Sequence, residues 1–375
     1  MISTQIIVAL CLLTVAATAK AAQAPPLISP EVHLDRTVTF RFKDPGAAKV
    51  ELDLEGADAL QMNKGTDGVW TITTAALRPD LYGYSFTADG EPRTDPLNHL
   101  YKPNLIWQSN MVLVPGDPPE AWEVTSVPHG IVHHHFYKSA TIGDDRDYFV
   151  YTPPGYSPTS RQRYPVLYLL HGFSDMASAW TEVGKANLIL DNLISQGKVK
   201  PMLIVMPLGY GIPDFASRTG TGFREPDRTK RNYENYRRAL LEEVIPQVER
   251  DYRVSSDREH RAIAGLSMGG AESLFVGLND LDRFSYVGAF SSGGLGNEFD
   301  QTFPGLTGAS ANGRLHLLWI ACGKDDGLVK FNRDLVKWLK GKGVQLTEVE
   351  TWDRHEWPVW RRNLITFTEQ IFQGR

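Results

Sequence analysis

The chain has 375 residues, of which 42% are hydrophobic and 22% are charged, and its net charge is −5. This length fits two domains, and the composition is that of a globular protein rather than a fibre or a disordered chain. A mildly acidic chain without a block of basic residues lacks the charge pattern of a nucleic-acid-binding protein. No apolar run reaches the ~18 residues that a membrane-spanning helix needs. Composition therefore excludes several classes of protein but names no activity.

The first 24 residues have the pattern of a secretory signal peptide. Residues 6–19 form an uncharged, mostly apolar run, and cleavage sites with small residues are available at Ala17-Thr18-Ala19 and Ala22-Gln23-Ala24. The first five residues carry no Lys or Arg, so a retained amphipathic anchor is the alternative. We expect a secreted or periplasmic protein. Cleavage removes Cys11 and leaves Cys322, which excludes an intramolecular disulfide.

Residues 25–115 show the alternating pattern of short β-strands. Hydrophobic and polar residues alternate over 50–54, 69–73 and 81–86, and Asp, Gly and Pro residues separate these runs. Strands at this spacing, without helical stretches between them, predict a small immunoglobulin-like β-sandwich. The segment resembles the early-set, glycogen-binding-type modules that precede many carbohydrate-active enzymes, through Asp67-Gly68-Val69-Trp70, Pro79-Asp80-Leu81-Tyr82-Gly83-Tyr84 and Asp95-Pro96-Leu97-Asn98.

Four aromatic residues of this module allow two interpretations. Trp70, Tyr82, Tyr84 and Trp107 either stack on sugar rings at a binding face or fill the core of the sandwich. We favour the core, because the inward face of a two-layer sandwich needs large side chains at every second position.

The remainder of the chain alternates strands with helices. Continuous apolar runs at 165–170 and 202–207 predict strands buried on both faces of a parallel sheet. Further strands are expected at 261–264, 286–290, 315–321 and 346–351, and helices at 186–193, 236–252 and 271–278. This alternation predicts an α/β-hydrolase fold with a doubly wound, mostly parallel sheet. The expected divisions are a signal peptide over 1–24, the β-sandwich module over 25–115, a Pro-rich linker over 116–130 and the α/β-hydrolase domain over 131–375.

The sequence Gly265-Leu266-Ser267-Met268-Gly269-Gly270 fits the nucleophile-elbow pattern G-x-S-x-G. A predicted strand runs into this sequence and a predicted helix follows it, which is the context that the pattern requires. Small residues are needed because side chains at the Gly positions would clash with the neighbouring strand and helix. We therefore predict Ser267 as a nucleophile that needs a histidine base.

Two histidines follow Ser267 in the chain. His316 lies inside a predicted strand, where a packing role is expected. His355 lies in a loop between the last predicted strand and the C-terminal helix, where the base belongs in the order Ser, acid, His. We therefore predict His355 as the base.

The acid is expected after the strand at 315–321, where Asp325 and Asp326 stand side by side. We predict Asp326, with Asp325 as the alternative, because Asp is also common in turns for structural reasons. The carboxylate would hold the His355 tautomer and stabilise the imidazolium. For the oxyanion hole we predict the backbone amides of Met268 and Phe173, with His171 bracing the loop that carries Phe173.

These motifs together resemble the esterase D / carbohydrate esterase family 1 hydrolases over roughly residues 126–375. The resemblance rests on Tyr151-Thr152-Pro153-Pro154-Gly155-Tyr156, Leu169-Leu170-His171-Gly172 with Trp180 downstream, the elbow around Ser267, and His355-Glu356-Trp357-Pro358-Val359-Trp360-Arg361. It implies a catalytic Ser267, Asp326 and His355. Members of that family often have Gly directly before the His, where this chain has Arg354.

The family resemblance and the domain pairing lead us to expect a secreted serine esterase that hydrolyses hydroxycinnamoyl (feruloyl) esters on plant cell-wall polysaccharide. Feruloylated arabinoxylan or its oligosaccharides would be the partner, with no nucleic acid and no membrane after signal removal. An acetylxylan or siderophore esterase is the first alternative, and a carbohydrate-binding protein with an inactive hydrolase domain is the second. The expected substrate-binding residues are Trp180, Phe223, Trp357 and Trp360.

No cofactor or metal is expected. The run His133-His134-His135 is a poor metal site because consecutive strand residues point to opposite faces, and no acidic or Cys partner stands at ligand spacing. The Gly- and Arg-rich segment 208–235, which contains Phe223, follows a predicted strand. Substrate selectivity commonly depends on such loops. A solvated loop without substrate contact is the alternative.

Overall fold

The structure, a computed structural model, describes residues 26–217 and 225–373. The expected signal peptide and Phe223 lie outside the described residues. Among the helices that are described, none is long and apolar enough to cross a membrane.

The N-terminal part is an all-β sandwich of two antiparallel sheets. One sheet has the order β1-β2-β6-β5, and the other has the order β4-β3-β7-β10-β9 with β8 paired to β7. The alternation seen in the sequence gives each central strand one buried face, as in β3, whose first, third and fifth residues are buried. The strands are β1 (Glu31–Val32), β2 (Val38–Lys43), β3 (Val50–Leu54), β4 (Leu60–Gln61), β5 (Asn63–Lys64), β6 (Val69–Thr73), β7 (Asp80–Ala88), β8 (Glu91–Arg93), β9 (Tyr101–Lys102) and β10 (Ser109–Val114).

The aromatic residues of this module separate into two groups. Trp70 and Tyr84 are buried in the sandwich core, and Tyr82 packs against that core. The packing interpretation therefore holds for these three residues. Trp107 differs, because 62% of its surface is exposed.

The C-terminal part is built on an eight-stranded sheet with the order β11-β12-β14-β13-β15-β16-β17-β18. The two pairs that involve β12 are antiparallel, and the other pairs are parallel. Strands β13 and β15 are buried along their whole length, as their apolar sequences predict. The strands are β11 (Ile131–Lys138), β12 (Asp145–Thr152), β13 (Val166–Leu170), β14 (Leu203–Pro207), β15 (Arg261–Leu266), β16 (Tyr286–Phe290), β17 (Leu317–Gly323) and β18 (Thr347–Thr351).

Helices follow the strands and cover the sheet, so the predicted α/β-hydrolase fold is confirmed. The described α-helices are α1 (Ala179–Glu182), α2 (Ala186–Ser195), α3 (Pro226–Ala239), α4 (Ile245–Asp251), α5 (Met268–Asn279), α6 (Phe299–Thr302), α7 (Gly308–Ala311), α8 (Val329–Gly341) and α9 (Trp357–Thr368). The helix predicted over 236–252 is instead part of a longer segment interrupted by a π-helical turn, Leu240–Val244. Pro246 follows that turn, and it has no N–H to continue the α-helical hydrogen bonds.

The module and the hydrolase domain share part of one hydrophobic core. Leu81 and Met111 of the module belong to the same buried cluster as Trp180 and Phe367 of the hydrolase domain. Segment 116–130, which the sequence predicts as a linker, carries no helix or strand. It is nevertheless packed, because its Trp122 is buried in that cluster. The β-module is thus fastened to the hydrolase by apolar packing.

Candidate active site

Ser267 stands between β15 and α5, at the sharp turn that the G-x-S-x-G sequence predicts. Its φ of 51° and ψ of −114° lie in a strained region for a residue with a side chain. A Cβ atom on Gly269 would lie 2.5 Å from the carbonyl oxygens of Leu170 and His171. The turn therefore requires glycine there, because strand β13 passes directly behind the elbow.

Three side chains from separate loops form a hydrogen-bonded row. His355 Nε2 lies 2.9 Å from Ser267 Oγ, and His355 Nδ1 lies 2.9 Å from Asp326 Oδ2. The Asp326 carboxylate is buried and also accepts a hydrogen bond from the Leu328 amide at 2.8 Å. This geometry allows a proton to pass from Ser267 to an imidazole whose tautomer is held by a carboxylate.

The environment of Asp326 keeps it ionised. Burial by itself raises the pKa of this carboxyl group, but the hydrogen bond and charge of His355 and the Leu328 amide outweigh burial, so the pKa lies below its ordinary value. The neighbouring Asp325 is exposed to solvent. Of the two adjacent carboxylates, the fold brings Asp326 to His355.

The loop after β13 lies across from the elbow. A Cβ atom on Gly172 would lie 3.6 Å from Ser267 Cβ, so the backbone leading into Phe173 passes beside the serine. Met268 is the first residue of α5, and its amide therefore has no acceptor within the helix. The helix N-terminus adds a favourable potential for negative charge. Both amides predicted for the oxyanion hole thus belong to backbone that borders Ser267.

His171 braces this loop in the manner that the sequence predicts. It is buried; its Nε2 atom accepts a hydrogen bond from the Gly209 amide at 2.8 Å, and its Nδ1 donates to the Gly172 carbonyl at 2.8 Å. Burial lowers the pKa of His171 to about 4, so the ring is neutral at neutral pH. A neutral ring in this tautomer ties the loop to the end of β14.

The tryptophans expected to contact substrate lie in the core behind the His355 loop. Trp180 is fully buried, and its indole N–H donates to the Leu170 carbonyl at 2.9 Å. Trp357 packs against Trp180 with ring centres 5.1 Å apart, and Trp360 lies edge-to-face on His355 at 4.9 Å. The structure therefore gives these three residues a packing role in place of the substrate contact expected for them, because less than a tenth of each surface is exposed. Phe223 lies outside the described residues.

Residues of the β-module reach the His355 loop, which sequence reasoning did not anticipate. Glu55 Oε1 accepts a hydrogen bond from the Trp357 amide at 3.0 Å, and Asp58 pairs with Arg354 at 2.9 Å. Arg354 thus points to the module, and the preceding Asp353 adopts the left-handed conformation with φ of 80°. The sequence carried no signal for these contacts, because residues about 300 positions apart form them.

A cavity of about 710 Å³ opens between α3, α5 and the chain that follows β16. That chain is joined to the elbow, since the Gly293 amide donates to the Ser267 carbonyl at 3.1 Å. The lining residues include Tyr233, Phe275 and Leu295. Helix α3 begins within the 208–235 segment, so described parts of that segment help to form a cavity of the size that small ligands occupy.

The three consecutive histidines of β11 have separate partners. His133 and His134 lie within hydrogen-bond distance of Thr152 and Asp147, at 3.2 and 2.8 Å, and His135 lies 2.5 Å from the Tyr252 hydroxyl. Over residues 26–217 and 225–373, no group of three or more His, Cys, Asp or Glu side chains is arranged to hold a metal ion.

Comparison with known proteins places the chain among esterases. The Esterase family model matches residues 139–369. An endo-1,4-β-xylanase/feruloyl esterase of Xylanibacter ruminicola is 30% identical over 351 residues, which cover 92% of this chain and 46% of that protein. An acetyl esterase of Caldicellulosiruptor saccharolyticus is 23% identical over 235 residues, covering 54% of this chain and 81% of that protein. The chain thus spans about half the length of the xylanase/feruloyl esterase.

Solved structures share the fold. The CE1 ferulic acid esterase of Anaeromyces mucronatus matches with a TM-score of 0.57 and 24% identity, covering 68% of this chain and 96% of its own. The enterobactin esterase of Shigella flexneri matches with a TM-score of 0.67 and 17% identity, covering 89% of this chain and 92% of its own. The match of the family model to more than half of the residues, on an α/β-hydrolase fold, shows that this chain belongs to the Esterase family.

Proposed function

We propose that the chain is a serine esterase that hydrolyses hydroxycinnamoyl (feruloyl) esters on plant cell-wall polysaccharide. The observation that carries the serine mechanism is the row Ser267–His355–Asp326, with both hydrogen bonds at 2.9 Å. A serine hydroxyl is a weak nucleophile until a base removes its proton, and His355 Nε2 lies at the distance that this transfer needs.

In the first half of the reaction, Ser267 Oγ attacks the ester carbonyl while His355 takes the hydroxyl proton. Asp326 stabilises the imidazolium and remains ionised, as its lowered pKa requires. The tetrahedral intermediate then breaks its bond to the alcohol, and His355 donates the proton to that leaving oxygen. In the second half, His355 activates water, which releases the carboxylic acid and restores Ser267.

The negative oxygen of each tetrahedral intermediate needs donors that are already in position. We assign this role to the backbone amides of Met268 and Phe173, because both residues belong to backbone that borders Ser267. Donors held by a helix terminus and a braced loop need no reorganisation as the charge develops.

The choice of acyl group rests on the relatives. The xylanase/feruloyl esterase of X. ruminicola resembles nearly the whole of this chain, including the β-module. Its name joins xylan cleavage to feruloyl ester hydrolysis, which supports feruloylated arabinoxylan or its oligosaccharides as the substrate here. We further propose export to the periplasm or the medium, in keeping with the signal-peptide pattern of residues 1–24.

A siderophore esterase is the second candidate. The structural match to the S. flexneri enterobactin esterase favours it, because that match covers 89% of this chain, whereas the match to the A. mucronatus ferulic acid esterase covers 68%. An acetylxylan esterase remains a third alternative, supported by the likeness to the acetyl esterase.

The test is a panel of esters with the purified enzyme: methyl ferulate, acetylated xylan and enterobactin, each followed by the acid or fragment released. Preferred hydrolysis of methyl ferulate supports the proposal, whereas preferred hydrolysis of acetylated xylan or enterobactin would assign a different acyl group to the substrate. Ser267→Ala should lower kcat by about 10³-fold or more on the preferred ester while the protein remains folded. Full activity in Ser267→Ala contradicts the nucleophile assignment, and no hydrolysis of any ester by the wild type favours an inactive carbohydrate-binding protein.

A further inference from the structure

One loop of the β-module is anchored to the loop that carries Phe173. The Leu105 amide donates to the Ser174 carbonyl at 2.8 Å. The side-chain amide of Asn104 donates to Ser174 Oγ at 3.0 Å and to Asp175 Oδ1 at 3.2 Å. Both Ser174 and Asp175 are buried, so the anchor is attached to a fixed part of the hydrolase domain. The module thus contributes directly to the border of the candidate active site.

The same loop displays a large aromatic side chain in a fixed position. Asn104 Oδ1 accepts hydrogen bonds from the amides of Ile106 and Trp107, at 3.0 and 2.9 Å, which closes a tight turn. The Trp107 ring leans on Phe173 with ring centres 6.5 Å apart, and 62% of the residue is exposed. A tryptophan held this way presents a hydrophobic face to solvent. Because the side chain is already fixed, it loses little conformational entropy when a ligand stacks on that face.

The position of Trp107 relates it to the reacting ester. Phe173 carries the amide that we assign to the oxyanion, and the preceding Gly172 borders Ser267, with 3.6 Å between a Cβ atom placed there and Ser267 Cβ. Trp107 lies beside Phe173 and is largely exposed to solvent. Trp107 is thus linked through Phe173 to the backbone that borders Ser267, and an ester whose alcohol part extends over Phe173 would meet the Trp107 ring.

We propose that Trp107 of the β-module is a platform on which a sugar ring of the ester substrate stacks, so that the module completes the substrate site. This inference rests on the proposed function. The open face suits the alcohol side, because a polysaccharide chain stays largely in solvent and presents flat, apolar ring faces. The small acyl group instead needs an enclosed pocket. The sequence favours a place in the sandwich core for Trp107, but the exposure of Trp107 shows that it does not lie there.

The test compares two esters of the same acid, methyl ferulate and a feruloylated arabinoxylan oligosaccharide. For Trp107→Ala we expect KM for the oligosaccharide ester to rise about 3- to 10-fold with little change in kcat, and both constants for methyl ferulate to stay within about twofold. Trp107→Phe should recover most of the loss, since it retains a ring. Phe136→Ala is the matched control, because Phe136 is a 77%-exposed aromatic residue on strand β11 of the sheet.

Three results would overturn the inference. The first is unchanged kinetics of Trp107→Ala on both esters. The second is an equal loss on both esters, which would mean that Trp107 only supports the Phe173 loop; thermal unfolding of the variant checks its fold. The third is a wild-type enzyme that hydrolyses methyl ferulate and whose kcat/KM is no higher for the feruloylated oligosaccharide. A wild type inactive on both esters would instead overturn the proposed function, and this inference with it.

Discussion

Arg361 of helix α9 donates from Nε and Nη2 to Oδ1 of Asp80, the first residue of β7, at 3.0 and 2.7 Å, and both side chains are completely buried. Arg361 also donates to the carbonyls of Val183 and Leu81. A single guanidinium thus joins the β-module to the hydrolase domain where water is excluded.

Removing one partner of this ion pair should destabilise the protein strongly. Asp80→Ala leaves the buried Arg361 charge without its carboxylate partner and also removes the pair with Arg362 at 2.6 Å, which together cost about 3–5 kcal/mol in the free energy of unfolding. Urea denaturation measures this loss. Asp334→Ala is the control, because Asp334 forms an exposed pair with Lys330 and its removal should cost less than about 1 kcal/mol. Equal losses in the two variants would contradict a structural role for the buried pair.

The two adjacent carboxylates after β17 offer a matched pair of variants. Asp326→Asn should lower kcat by about 10³- to 10⁴-fold, because an amide neither holds the His355 tautomer nor stabilises the imidazolium. Asp325→Asn removes the same charge from an exposed position and should leave kcat within about twofold. Steady-state kinetics on methyl ferulate distinguishes them, and a larger loss in Asp325→Asn would reverse the assignment.

Glu356, next to His355, makes stability depend on pH. Burial, with the nearby Glu55 charge, raises the pKa of Glu356 to about 7, above the usual 4.5. The folded state therefore holds a proton that the unfolded state loses between pH 4.5 and 7. The contribution of protonated Glu356 to the free energy of unfolding is therefore fully present below pH 4.5 and is lost as the pH rises through 7. Glu356→Gln copies the protonated form and should raise the free energy of unfolding by about 1–3 kcal/mol at pH 8 and hardly at pH 4.5.

Denaturation of wild type and Glu356→Gln at both pH values checks this expectation. The difference between the two proteins must grow with pH, since the Gln side chain has no proton to lose. A difference that is the same at pH 4.5 and 8 would show that the substitution acts through packing alone.

The elbow glycine should tolerate no side chain. Gly269→Ala places a Cβ atom 2.5 Å from two carbonyl oxygens of the β13 end, so the strand or the helix must shift. We expect a loss of about 1–3 kcal/mol in stability together with reduced kcat, because the shift moves Ser267. Gly341→Ala, at the end of α8 with open space around it, is the control and should be neutral or stabilising. Thermal unfolding and ester hydrolysis measure both effects.

Much of the fold follows from local patterns. The period-two alternation of the module, the continuous apolar strands of the parallel sheet and the glycines of the elbow are each encoded within a few neighbouring residues. The position of a tryptophan outside such runs is different. Trp70 lies in the alternating run 69–73 and fills the sandwich core, whereas Trp107 lies in no such run and its exposure beside Phe173 is seen in the folded chain. Trp180 and Trp357 differ in the opposite sense, because their positions in the motifs predict a binding surface whereas both side chains are buried.

Local sequence patterns predict a β-sandwich followed by an α/β-hydrolase, with Ser267 at an elbow and His355 as the residue to pair with it. Those features depend on turn chemistry and chain order, which neighbouring residues express directly. Folding is what places Asp326 rather than Asp325 beside His355 and brings Glu55, Asp58 and Asn104 of the module to the loops around Ser267. These contacts join residues about 30 to 300 positions apart. The Asp326–His355 contact depends on the pairing of β17 with β18 within the hydrolase domain, and the other contacts depend on how the module packs against that domain. No short stretch of sequence specifies either arrangement.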